Sequence, residues 1–207
     1  MKTIDKRLFV VLFFVFIAAT VIGTLSHELG HYVAAKYLGY NAKISFAYTY
    51  WTPTNPDEAV ILKNSFFITL GGPLQTMLTG TIGIFLLFIF RNSFVSTNRL
   101  SVRQWTIIFF SLFWLRQTTN LITWLGRYII TGQYSSNGDE IQIANYLRLP
   151  YWTILTFTGI IGFIVLAVII LKFIPKKQKL TFIISGFTGG IAGYILWLLL
   201  FGKYIMP

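Results

Sequence analysis

Long apolar runs constrain this chain more than any other feature. Leu8 to Leu25 contains no charged residue, and predominantly apolar runs recur at about Ser65–Phe90, Trp105–Ile130, Tyr151–Phe173 and Leu180–Phe201. A run of about 18 apolar residues or more is long enough to cross the hydrocarbon of a bilayer. A soluble domain could not hide this much apolar surface. Only 11% of the residues are charged and 55% are hydrophobic, against about 25% charged in a soluble domain. The expectation is an all-α polytopic membrane protein with about five transmembrane helices, one domain over residues 1–207 and no internal repeat. The first run continues helix-like through Ser26 to Leu38. It reads as a retained helix, with a cleaved signal segment as the alternative.

The net charge of +11 does not point to nucleic acid. The basic residues lie at the ends of the apolar runs, where they anchor in headgroups and set topology, and no nucleic-acid-binding module accompanies them. With five spans and a cytoplasmic N-terminus, ten basic residues face inside: Lys2, Lys6, Arg7, Arg91, Arg99, Arg103, Lys172, Lys176, Lys177 and Lys179. Six face outside: Lys36, Lys43, Lys63, Arg127, Arg148 and Lys203. The positive-inside rule favours that orientation. The expected location is the cell membrane, with lipid as the first partner.

Between the first two runs the period changes to two. Ile44, Phe46, Tyr48 and Tyr50 alternate with Lys43, Ser45, Ala47 and Thr49, which reads as a small β-hairpin or strand over Lys43–Trp51. Pro53, Asn55 and Pro56 then mark a loop. Thr131–Leu149 reads as a polar loop. Gly186, Gly189, Gly190 and Gly193 form two overlapping small-xxx-small pairs, a helix-packing signal.

One motif carries chemistry. His27-Glu28-Leu29-Gly30-His31 is H-E-x-x-H within a very apolar helix, and it holds the chain's only histidines. One helical turn separates the two imidazoles, so both leave one face and can grip one metal ion. The intervening Glu can take a proton from water that the metal activates. Ionisable groups in such a setting usually mark function. A catalytic zinc usually has three protein ligands, and the chain has no cysteine, so the third must be acidic. Asp5 precedes the first helix, and Asp57 and Glu58 look solvated. Asp139 is the first choice and Glu140 the second, since Gly138 frees the backbone to turn the next side chain inward.

These residues resemble the site-2 protease family, the membrane-embedded zinc metalloproteases. The resemblance rests on the H-E-x-x-H helix with Tyr32-Val33-Ala34-Ala35-Lys36, on Gly72-Pro73-Leu74, on the strand-like segment between them, and on Asn120-Leu121-Ile122 followed by Gly138-Asp139. It implies Zn2+ as cofactor, His27, His31 and Asp139 as ligands, Glu28 as the catalytic base, and Gly72, Pro73 and Asn120 near the substrate. Three positions depart from the family pattern. Thr123 stands where a Pro is expected, the Asp-Gly order is reversed, and Thr76 replaces a common Asn. The resemblance also implies the opposite membrane orientation to the charge count.

Arg116 and Asn120 lie one turn apart in the third apolar run, with Gln117 beside them. They either line a polar site and meet substrate, or form an interhelical hydrogen-bond cluster. Two functions follow. One is an intramembrane zinc protease acting on a membrane-protein or peptide substrate, which the hairpin could pair with as an added strand. The other is a non-proteolytic transporter or scaffold that keeps a metal site.

Overall fold

The computed structural model describes residues 4–53, 57–95 and 97–207. Lys2, Asn55 and Pro56 lie outside them. The fold is mostly helical, with one two-stranded sheet. Helix α1 spans Lys6–Tyr37. Its N-cap is Asp5, whose carboxylate accepts from the Leu8 amide at 3.1 Å. A hairpin follows, β1 (Asn41–Ile44) against β2 (Thr49–Thr52), with Asn41 opposite Thr52 and Ile44 opposite Thr49. The middle of the alternating run, Ser45 to Tyr48, is therefore the turn rather than strand, closed by the Ser45 amide on the Tyr48 carbonyl at 2.8 Å.

Helix α2 spans Glu58–Ile89, starting well before the expected Ser65. Asp57 is exposed, as expected, and caps the helix by accepting from the Ala59 amide at 2.9 Å. The short α3 covers Arg91–Val95. The third apolar run is not one helix. It divides into α4 (Val102–Ser111), a 3-10 turn at Leu112–Trp114, and α5 (Leu115–Thr131). At 17 residues, with Arg116, Gln117, Asn120 and Arg127 among them, α5 is not one of the helices long and apolar enough to cross a membrane. The supposed polar loop contains α6, Asp139–Tyr146. Next come α7 (Thr153–Val168) and α8 (Lys179–Tyr194), each continued by a π-helical stretch, and then α9 (Gly202–Ile205). Four helices are long and apolar enough to cross a membrane: Lys6–Tyr37, Glu58–Ile89, Thr153–Phe173 and Lys179–Ile205. The expected five thus become four by this measure.

Helix α1 is central, packed on α2 along one side and α8 along another. The α8 glycines make the second contact possible. A Cβ on Gly189 would fall 2.6 Å from the Phe13 carbonyl oxygen, and one on Gly193 would meet Thr20. Leu12, Phe16, Leu87, Ile108, Phe173 and Phe182 form a core shared by α1, α2, α4, α8 and the π-helical end of α7. Large apolar side chains such as Phe14, Ile22, Phe85, Phe163 and Phe187 remain exposed, the surface a bilayer would cover. The hairpin is held by the chain's end. The Phe46 amide donates to the Met206 carbonyl at 2.9 Å, and the Trp197 indole donates to the Phe46 carbonyl at 2.9 Å.

Candidate metal centre

His27, Glu28 and His31 are all buried, at 1%, 4% and 8% exposure. Their potential ligand atoms lie within 4.8 Å of one another, a group that could hold a metal ion. Helix α2 makes room for them. Gly30 and Gly71 face each other, and a Cβ on either would strike the carbonyl of the other. The α1 and α2 backbones therefore touch at this crossing. A Cβ on the next residue, Gly72, would fall against Nε2 of both histidines. One glycine lets the helices close and the next keeps the space before the imidazoles empty. Pro73 follows inside the helix. It has no N–H, so the usual helical bond to the Thr69 carbonyl is missing.

The imidazoles are oriented from behind. His31 Nδ1 lies 2.7 Å from the Ile68 carbonyl oxygen. That oxygen can only accept, so Nδ1 carries the proton and Nε2 of a neutral His31 presents its lone pair. The Gly72 amide also lies 3.3 Å from Nδ1, but the shorter carbonyl contact decides the tautomer. A backbone acceptor behind the ring is a common way to fix a metal-ligating histidine. His27 Nδ1 is buried with no hydrogen-bond partner.

Asp139 completes the group. Its Oδ2 lies 2.8 Å from His27 Nε2 and 3.3 Å from His31 Nε2, and the two nitrogens are 3.1 Å apart. Ligand atoms about 2.0–2.1 Å from a tetrahedral zinc would be about 3.3 Å apart, so the triangle has the right size with one corner open. The segment before Asp139 is built to deliver it. Gly132 ends α5 at φ 70°. The Tyr134 ring stacks between Trp124 and Tyr128, with centroids at 4.2 and 4.1 Å. The Trp124 indole donates to the Ser135 carbonyl at 3.1 Å. Gly138, at φ 140° and ψ 148°, makes the turn a side chain would resist, and α6 begins at Asp139.

Glu140 points elsewhere. The Asn120 side-chain amide donates to its Oε1 at 3.2 Å, and none of its contacts reaches a histidine. Burial pushes the Glu140 carboxyl up, and the Asp139 charge adds to this. For Asp139, burial also pushes up, but the two imidazoles beside it outweigh that and hold the carboxyl well below the usual range. The two neighbours are thus pushed in opposite directions.

Glu28 has a partner the sequence gave no sign of. The Thr49 hydroxyl, at the start of β2, lies 3.0 Å from Glu28 Oε2 and 2.8 Å from the Glu28 carbonyl oxygen. The hairpin therefore holds the carboxylate. These groups open onto a cavity of about 640 Å³, bounded by the α5 face bearing Arg116, Asn120, Thr123 and Arg127 and by Tyr48, Thr49 and Trp51 of the hairpin. Arg116 has a buried Nε with no hydrogen-bond partner, and it forms no ion pair among the described residues. No family model, curated protein or solved structure matches this chain.

Proposed function

We propose that this chain is a zinc-dependent peptidase of the cell membrane, hydrolysing peptide bonds of membrane or membrane-adjacent substrates. The observation that carries the reading is the convergence of His27, His31 and Asp139 on one point, with Glu28 alongside and a roomy polar cavity in front. His27, His31 and Asp139 would hold the ion. When bound, zinc supplies Lewis acidity, polarising a carbonyl and bringing the pKa of water toward neutrality. Glu28 takes the proton from the attacking water and passes it to the departing amine. Thr49 keeps the Glu28 carboxylate turned to that task. Arg116, whose Nε has no partner, lines the same cavity and would meet the substrate there. The short β2 strand gives an extended segment something to pair with. The resemblance to site-2 proteases points the same way.

The test is zinc analysis and turnover of a synthetic transmembrane peptide by the detergent-purified wild type and its Glu28→Gln variant. We expect about one zinc per chain in both, and a rate at least about 100-fold lower in the variant, the scale of a lost general base. A zinc-free wild type, or a Glu28→Gln protein that cleaves normally, would sink the reading.

A further inference from the structure

A second hollow, of about 670 Å³, lies between the start of α2 and α6. Its wall includes Thr69 and Gln142, which also line the metal-centre cavity. The two spaces therefore adjoin, and the second continues the first along α6. It offers an aromatic floor, where Phe66 and Tyr146 stack with centroids 4.2 Å apart, and polar groups at Ser65 and Asn145. At its far end stands Arg148.

Arg148 occupies an unusual position. The Arg148 amide donates to the Asn145 carbonyl at 3.1 Å, and the Leu149 amide to the Ala144 carbonyl at 2.9 Å. This bond pair is a Schellman motif, whose left-handed residue is usually Gly and sometimes Asn. Here it is an arginine at φ 55°, and no other non-glycine described residue has positive φ. A glycine would satisfy the same backbone bonds without strain. The side chain forms no ion pair among the described residues. What distinguishes it from a glycine is a free guanidinium on the rim of a groove that leads to the metal centre.

We propose that this hollow is the continuation of the substrate cleft, and that Arg148 selects polypeptides bearing an acidic side chain at a set distance from the bond that is cut. The distance follows from α6, whose first residue is Asp139. Seven helical steps from Asp139 to Tyr146 advance about 10–11 Å at about 1.5 Å per residue, and the two residues of the cap carry Arg148 a few ångström further. An extended substrate advances about 3.3 Å per residue, so the favoured carboxylate lies about four residues from the scissile bond. The proposal rests on the peptidase reading, and its test separates the two.

The test uses Glu28→Gln protein in nanodiscs of zwitterionic lipid and a fluorescent twelve-residue peptide whose single Glu is moved stepwise, the other polar positions being Gln. Binding should tighten about fivefold, the upper end for an exposed ion pair, when the Glu stands about four residues to one side of the centre. Adding Arg148→Gly should abolish the preference while raising the melting temperature, which excludes misfolding as the cause. Adding Arg148→Glu should turn the preference to Lys. Equal binding of all peptides, or a preference that survives Arg148→Gly, overturns the proposal. So does an effect of Arg148 that depends on anionic lipid and not on peptide charge, which would make it a headgroup site. Charge-selective binding without cleavage by the zinc-loaded wild type would support the groove and overturn the peptidase reading. A wild type that neither binds nor cleaves any peptide overturns both.

Discussion

The two halves of α1 meet their neighbours in opposite ways. Around Leu12 and Phe16 the helix packs on α8, where Gly186, Gly189 and Gly193 admit aromatic rings and backbone. Around His27 to His31 it packs on α2, where Gly71 admits backbone and Gly72 admits imidazole. Both seams depend on absent side chains, but the first encloses hydrocarbon and the second encloses donors. In lipid there is little hydrophobic drive between helices, so the first seam rests on close van der Waals contact. The second has buried polar atoms to satisfy, and it does so in part with the Ile68 carbonyl, Thr49 and Asp139, leaving His27 Nδ1 without a partner.

Substitutions should separate the two seams. The largest effect is expected at the donors. His27→Ala, His31→Ala and Asp139→Asn should each weaken zinc binding by more than about 100-fold, beyond the effect of groups standing behind ligands, while Glu140→Gln keeps the metal. Zinc stoichiometry after dialysis reads this, and metal loss in Glu140→Gln with retention in Asp139→Asn would exchange their roles. A smaller effect is expected behind the base. Thr49→Val should lower kcat about tenfold, the worth of one hydrogen bond to a charged group, with KM and zinc content unchanged, and Thr49→Ser should restore it. A Thr49→Val protein with normal kcat would remove the hairpin from the reaction. The smallest effects are expected at the apolar seam. Gly189→Ala should destabilise by about 1–3 kcal/mol through overpacking, with zinc content untouched. Its neighbour Gly190, which has open space beside it, should accept Ala with a gain of about 0.5–1 kcal/mol in helix stability. Equal melting temperatures for the two alanine variants would deny that α1 and α8 meet at Gly189.

The sequence was readable where a residue's role depends on its near neighbours. The i, i+4 histidines, four of the five apolar runs and the Gly189/Gly193 pair on α8 are local patterns with a structural counterpart, whereas Gly190 of the other pair has open space beside it. Asp139 was reachable because few acidic residues exist and Gly138 precedes it. The third run misled because its apolar content hid the polar face of α5, and the segment after it misled because the eight residues of α6 are too few to show a period. Thr49, the Ile68 carbonyl and the groove ending at Arg148 left no local signal. Thr49 is 21 residues from Glu28 and the Ile68 carbonyl 37 from His31. Partners so distant are fixed by how α1, α2 and the hairpin fold together. Backbone carbonyls, besides, carry no residue identity to read.

The touching backbones at Gly30 and Gly71 have a consequence for traffic. Each carbonyl fills the place where the opposite side chain would be, so the two backbones lie in direct contact and leave no gap at the crossing. On the peptidase reading, a polypeptide bound for the histidines would have no doorway between α1 and α2 at this point. Its way in would lie on the side of α5, α6 and the hairpin, where the walls belong to different elements and can give independently. The same crossing that seats the two imidazoles would thus decide from which direction the chain can be fed.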